Sequence, residues 1–188
     1  MSKKICFDFR FPNWLAIACQ MFVVTVLLPF EIAQAQTAKH AVKNTARLDI
    51  DFTATDLDGK PFDAKSLHGK IVLLDFWAVW CAPCIAAFPT LNRLHKDFKD
   101  QNFEVVGIAV YSGKPASVRK FLKKHDLQYQ VVVGDADLSG RFNVIGFPTY
   151  FLIGPKGRIV KKYVGEVKDL YRDVKADILK LTNKESKQ

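Results

Sequence analysis

Trp80-Cys81-Ala82-Pro83-Cys84 sets two cysteines with two residues between them. At that spacing one small disulfide ring can open and close, so a single dithiol can trade two electrons. If the pair opens a helix, the unpaired N–H groups of the first turn favour a thiolate and lower the first thiol from about 8.5 toward roughly 7 or below. Cys81 would then attack, and Cys84, one turn in and shielded by the helix, would resolve the mixed disulfide. Two other chemistries compete. A structural zinc needs four ligands, and no second cysteine pair is present. A purely structural disulfide would constrain little chain in so short a loop. Redox activity is the reading the residues favour.

Asp75 interrupts an otherwise apolar run from Ile71 to Ala78, the pattern of a central strand buried on both faces. A carboxylate there is costly unless neutral or hydrogen-bonded, so its pKa should rise. Beneath Cys84 it would take the thiol proton when Cys84 attacks. The competing reading is a strand-end aspartate bonded to backbone. Trp77 and Trp80 are expected to pack around the cysteines, with Trp80 lining the substrate face. His95 and His125 lie among lysines and read as solvated helix residues. Asp135, Asp137 and Ser139 imitate the start of a calcium loop, but the twelfth position holds Gly146 instead of Glu. That segment reads as a turn and helix cap.

These groups need a strand ending at a helix start, and the chain supplies one. After Cys84, Ile85, Phe88, Leu91, Leu94 and Phe98 recur at spacings of three and four, a helix with one apolar stripe, interrupted by Pro89. Upstream, Leu48, Ile50 and Phe52 alternate with Asp49 and Asp51 as a half-buried strand. Asp56 to Pro61 is a turn, and Pro61-Phe62 begins a return strand. Downstream come a buried strand over 103–110, a helix over 115–125, a short strand at 131–133 and a helical turn over 137–143. Strands over 149–153 and 158–164 flank the turn Gly154-Pro155-Lys156-Gly157, and a closing amphipathic helix runs from Val167 to Leu181. A βαβ half followed by a ββα half predicts an α/β architecture with a mixed sheet.

The N-terminus is different in kind. Lys3, Lys4 and Arg10 precede seventeen uncharged residues, Trp14 to Phe30, and Ala33-Gln34-Ala35 follows. Basic, apolar and small-x-small regions in that order read as a secretory signal over 1–35, with the mature chain starting near Gln36. An uncleaved membrane anchor is the competing reading, because the run sits at the lower edge of a spanning helix. A lipidated Cys19 fits less well, since the apolar run continues behind it. Removing 1–35 takes away Cys6 and Cys19, leaving Cys81 and Cys84. It also removes both methionines, Met1 and Met21, and lowers the formal charge from +9 to +8. Residues 36–47 read as a flexible lead-in, 48–182 as one domain and 183–188 as a charged tail. With 49% apolar and 25% charged residues the chain has a globular composition. Scattered lysines permit weak attraction to acidic surfaces or anionic lipid, and no nucleic-acid partner is expected.

Asp75-Phe76-Trp77-Ala78-Val79-Trp80-Cys81-Ala82-Pro83-Cys84 resembles the active-site segment of thioredoxin-fold proteins, and Gly146-Phe147-Pro148-Thr149 resembles their cis-proline motif. Pro89 matches their helix kink. The N-terminal hairpin and export signal are similar to the TlpA-like branch of exported thiol-disulfide oxidoreductases, and the likeness covers about residues 46–182. It implies a thioredoxin-like fold, a mixed central sheet flanked by helices, with an N-terminal β-hairpin extension. It also implies a redox disulfide Cys81–Cys84 and a substrate groove at Trp80, Phe147, Pro148 and Thr149, where Pro148 holds extended backbone beside Cys81. Ala82 departs from the thioredoxin W-C-G-P-C. Asp75 stands where many TlpA-like proteins carry Asn and resembles the buried acid of thioredoxin. Val79 replaces the thioredoxin acid two residues before the first cysteine.

The expected partners are protein thiols or disulfides in an exported compartment, periplasmic or comparable, and a membrane electron donor. The N-terminal segment would provide any membrane association. No cofactor or metal is required, since the dithiol carries both electrons. A peroxidase of this fold would need Pro-x-x-x-Thr-x-x-Cys, and those places hold Leu74 and Ala78 before Cys81. Copper delivery would call on methionines that the mature chain lacks. A thiol oxidase or isomerase, or a non-enzymatic holder of thiol proteins, remains as the alternative. Ala82 offers no polar side chain and Pro83 no N–H to a Cys81 thiolate, so electron flow toward the substrate is expected.

Overall fold

The computed structural model describes residues 50–185. The segments read as signal and lead-in, together with Leu48, Asp49 and residues 186–188, lie outside the described residues. Strand β3, Ile71–Trp77, is buried at every position. Apolar side chains on both faces leave it no solvent side, so it must sit between two strands and two layers. It pairs in parallel with β4 (Phe103–Ala109) and antiparallel with β6 (Thr149–Ile153). Beyond β4 lies β5 (Gln130–Val133), and beyond β6 lies β7 (Ile159–Val164). β1 (Thr53–Asp56) pairs with β5 and carries β2 (Pro61–Asp63). One mixed sheet results, in the order β2-β1-β5-β4-β3-β6-β7.

Alternation along β3 sorts two cores. Ile71, Leu73 and Trp77 face α1 (Ala82–Phe98), α2 (Pro115–Leu122) and α4 (Leu170–Glu185). Val72, Leu74 and Phe76 face α3 (Ala136–Arg141), residues 50–52 and the 3-10 turn Ala64–Leu67. Four residues of the apolar stripe read on α1 are buried, Phe88, Leu91, Leu94 and Phe98, and Ile85 is half-buried. α1 continues through Pro89, which has no N–H to donate to Ile85.

Three elements depart from the sequence pattern by three residues or more. Among the described residues the first strand begins at Thr53, so Ile50 and Phe52 lie outside it. Ile50 and Phe52 are buried as their alternation predicts, but their backbone bonds go to loops. Ile50 N–H donates to Gly157 C=O at 3.1 Å, and Phe52 C=O accepts from Ala64 N–H at 3.0 Å. α2 ends at Leu122, and Lys124 and His125 continue it with three-residue bonds to Phe121 and Leu122. α4 starts at Leu170 and runs to Glu185, into the segment expected as a charged tail.

Gly134, just past β5, marks how tightly the second core is filled. A Cβ there would lie 2.8 Å from Ile108 Cγ2 and 3.0 Å from Leu138 Cδ2. Ile108 is β-branched and fixed in β4, so it cannot swing aside. Overpacking of this sort costs about 1–3 kcal/mol. Gly134→Ala should lower the urea midpoint without changing the slope and without altering Cys81 reactivity. An unshifted midpoint would mean that the layer is slack.

Candidate active site

Where β3 ends, the chain turns through Ala78–Trp80 and enters α1. Cys81 is the residue that caps the helix, with extended backbone (φ −89°, ψ 95°) and Pro83 in the first turn. The turn is stitched to the loop after β4 by a set of bonds. Cys81 N–H donates to Ala78 C=O at 3.0 Å, and Val110 N–H donates to Trp77 C=O at 3.0 Å. Val79 N–H donates to Ser112 Oγ at 3.1 Å, and that hydroxyl donates to Val110 C=O at 2.9 Å. Trp80 Nε1 donates to Tyr111 C=O at 3.3 Å. Cys81 is thus held in place by backbone on both sides of the junction.

Cys81 and Cys84 form a disulfide across a Cα–Cα distance of 5.3 Å. Cys84 N–H reaches back to Cys81 Sγ at 3.3 Å, the helix-start donation that favours a thiolate once the bond opens. Cys84 is 1% exposed and Cys81 5%, while the neighbouring Trp80 is 65% exposed.

The peptide bond Phe147–Pro148 is cis. Pro148 C=O accepts from Gly165 N–H at 2.8 Å, and Thr149 Oγ1 donates to Gly146 C=O at 2.8 Å. The Phe147 ring stands edge-on to Trp80 at 5.8 Å. Pro83 and Pro148 line one small cleft of about 170 Å³ with Tyr150 and Glu166. The fold therefore sets Phe147 against Trp80, and Pro148 in one cleft with Pro83; Trp80 and Pro83 are the residues that flank Cys81 and Ala82 in the chain. Thr149 lies behind them, fully buried, with its hydroxyl turned to backbone.

Asp75 shares the β3 face of Leu73 and Trp77, the face covered by α1, in which Cys84 is buried. It is a mid-strand residue, opposite Gly107 on β4 and Tyr150 on β6. Its carboxylate takes a hydrogen bond from the Tyr129 hydroxyl at 3.4 Å, and Oδ1 has no partner among the described residues. Burial raises its pKa from 3.8 to about 8, with the Tyr129 bond opposing. The same burial, reinforced by the Asp75 charge, raises Tyr129 and Tyr150.

Gly107 makes the Tyr129 contact feasible. A Cβ there would lie 3.1 Å from Trp77 Nε1 and 3.2 Å from the Tyr129 ring. Tyr129, Gly107 and Ser112 escape sequence reasoning, because only the parallel register of β3, β4 and β5 brings them to this junction.

The histidines depart from the solvated reading. His95 Nδ1 is enclosed without a hydrogen-bond partner among the described residues, and burial lowers its pKa. His125 lies past the end of α2 and packs on Phe121 at 4.4 Å. Lysines around them in sequence point outward while the rings cover the core edge. Asp135 does cap α3, its carboxylate accepting Leu138 N–H at 2.8 Å.

The sequence model of the AhpC/TSA family matches residues 47–162. A thiol-disulfide oxidoreductase ResA of Bacillus cereus is 36% identical over 117 residues, 62% of this chain and 67% of that protein. Among solved structures, a putative thiol:disulfide interchange protein DsbE from Chlorobium tepidum superposes with a TM-score of 0.66. It is 28% identical, over 71% of this chain and 95% of the other. A secreted Mycobacterium tuberculosis disulfide oxidoreductase, described as homologous to Escherichia coli DsbE, gives a TM-score of 0.57. It is 28% identical, over 68% and 96% of the two chains.

The raised pKa of Asp75 has a direct consequence for stability. Between the unfolded value near 4 and about 8, the native protein holds a proton that the unfolded chain has lost. The contribution of this group is thus fullest below pH 4 and declines as pH rises toward 8. Asp75→Asn should flatten that decline, so the oxidised variant should outlast the parent in denaturant at pH 8 and lose its advantage toward pH 5. Parallel pH profiles for the two proteins would rule out a buried, neutral Asp75.

Proposed function

Because the chain belongs to the AhpC/TSA family and is a thiol-disulfide oxidoreductase, we propose that it reduces disulfides in exported proteins, with Cys81 as nucleophile and Cys84 as resolving thiol. The reduced Cys81 thiolate attacks one sulfur of the partner disulfide, and the partner's other sulfur leaves as thiolate. Cys84 then gives its proton to the Asp75 carboxylate and attacks Cys81 Sγ. The Cys81–Cys84 disulfide forms, the second partner sulfur leaves, and two electrons have passed. Trp80, Phe147 and Pro148 form the groove that holds the partner's extended backbone, with Thr149 buried beneath them as a support and not part of the contact surface. The structure is of the oxidised form, and an Asp75 with a pKa of about 8 is mostly protonated at neutral pH. That is the protonation state the resolution step leaves behind.

The observation that supports the direction is the sparse donation to Cys81. Among the described residues, its sulfur receives one backbone N–H, from Cys84 at 3.3 Å. Ala82 adds no polar group, and Pro83 has no N–H. A thiolate stabilised so little leaves the dithiol high in free energy and the couple reducing. The N-terminal segment is the export signal or, if uncleaved, an anchor, and no helix among the described residues is long and apolar enough to cross a membrane. In an oxidising compartment such a reductant needs a dedicated membrane donor to restore the dithiol.

Two measurements test this reading. Equilibration with glutathione buffers should give a potential below about −200 mV, and a value well above about −180 mV would replace the reductase by an oxidase. In the reduced protein Cys81 should alkylate much faster than Cys84 near pH 7; equal rates, or faster labelling of Cys84, would reverse the assigned roles. Trapping with Cys84→Ser would then name the partners linked to Cys81.

A further inference from the structure

Between the β1–β2 turn and the start of α2 lies a groove of about 500 Å³ lined by Leu57, Asp58, Lys114, Arg119, Lys120 and Lys123. All four cations are exposed. Arg119 is committed to the turn, donating to Leu57 C=O and to the Asp58 carboxylate, so the acid of the groove is already paired. Lys114, Lys120 and Lys123 have no carboxylate partner among the described residues. Three unneutralised ammonium groups around one concavity repel one another and do nothing for the fold. They suit an anion that the chain itself does not supply.

The groove adjoins the redox site. Tyr111 and Ser112 hold Trp80 and Val79 at 3.3 and 3.1 Å, and Lys114 follows Ser112 by two residues, a span of at most about 7 Å. Exposed apolar side chains flank the redox site: Trp80 is 65% exposed, Tyr111 59% and Ile145, two residues before Phe147, 83%. Phe147 joins the aromatic members, 5.8 Å from Trp80 and 6.3 Å from Tyr111. Tyr111 is held at φ 50°, a costly conformation for a residue other than glycine, with its ring largely in solvent. An apolar band beside the disulfide therefore runs into a basic groove on one side.

We propose that this face recognises an acidic segment of the partner protein a few residues from its reactive cysteine. The intervening apolar residues sit on Trp80, Tyr111 and Ile145, and the carboxylates reach Lys114, Lys120 and Lys123. The proposal rests on the disulfide-reductase reading and adds the class of substrate. A concave groove suits a chain segment better than a membrane plane, and lipid seated there would cover the adjacent face that a partner disulfide must reach. Each exposed ion pair is weak alone, but three cations beside a reactive centre steer an acidic partner and act mainly on its rate of association.

The test uses the full chain, reduced, with three disulfide-bearing peptides that carry glutamates, glutamines or lysines a few residues from the cysteine. At low salt the glutamate peptide should be reduced about tenfold faster than the glutamine peptide, and high salt should erase the difference. The triple variant Lys114→Glu, Lys120→Glu, Lys123→Glu should prefer the lysine peptide while keeping the parent rate on the glutamine peptide. A control with the same charge change elsewhere, Lys96→Glu, Lys156→Glu, Lys168→Glu, should keep the parent preference. Single lysine-to-glutamine changes give the same comparison with less perturbation of the fold. Reduction of all three peptides at one rate, or a preference unchanged in the groove variant, overturns the proposal alone. Unchanged preference with lost binding to vesicles of anionic phospholipid assigns the groove to a membrane and likewise overturns it. Failure to reduce any peptide removes the reductase reading as well.

Discussion

The double burial of β3 is the constraint on which the rest of the molecule depends. A strand apolar on both faces demands a layer on each side, and the chain answers with α1, α2 and α4 on one and α3 with residues 50–52 and the turn Ala64–Leu67 on the other. The same burial fixes where β3 can stop. Its first turn back toward solvent is Ala78–Trp80, and there the start of α1 meets the loop after β4. The disulfide sits where the end of a rigid central strand, a helix terminus and the loop after β4 coincide. Such a position holds a reactive sulfur without asking a loop to do so, which suits chemistry that needs a fixed geometry at Cys81.

Burial also creates the acid. A carboxylate in water would ionise near pH 4, and enclosing Asp75 moves that to about 8, a shift on the order of 5 kcal/mol. The fold tolerates the residue by keeping it neutral rather than by neutralising it with a cation. Tyr129 offers one long hydrogen bond, and no cation is bonded to the carboxylate among the described residues. A lysine partner would have pinned Asp75 in its charged form and removed its ability to change state near neutrality. Gly107 belongs to the same arrangement, because a side chain at that position would press on both Trp77 and Tyr129.

Much of this was legible in the chain. The spacing of Cys81 and Cys84, the run from Ile71 to Ala78 and the stripe from Phe88 to Phe98 are local patterns, and each became the element it suggested. Residues whose meaning lies in long-range register were not legible. Tyr129 is 54 residues from the carboxylate it serves, and Ser112 is 33 from the amide it accepts. Ile50 and Phe52 show a subtler failure, since alternation reports burial and not the backbone partner. Their side chains are in the core while their amides and carbonyls bond to loops. The histidines failed for a related reason: neighbouring lysines mark an exposed helix face but do not say which side of the ring the core takes.

Chemistry and recognition then occupy different depths of one face. The sulfurs, Asp75, Tyr129 and Thr149 are enclosed, and their properties follow from exclusion of water. Trp80, Tyr111, Ile145 and the lysines beside α2 are exposed, and their properties depend on what approaches. The two sets are coupled through a few bonds at the loop after β4, where Ser112 holds the active-site turn and Lys114 opens the groove. A change in the exposed set can alter which partner arrives without touching the potential of the disulfide. A change in the buried set alters the proton and electron steps for every partner alike. That separation allows one redox centre to be directed to particular protein thiols or disulfides while its thermodynamics stay fixed by β3 and the start of α1.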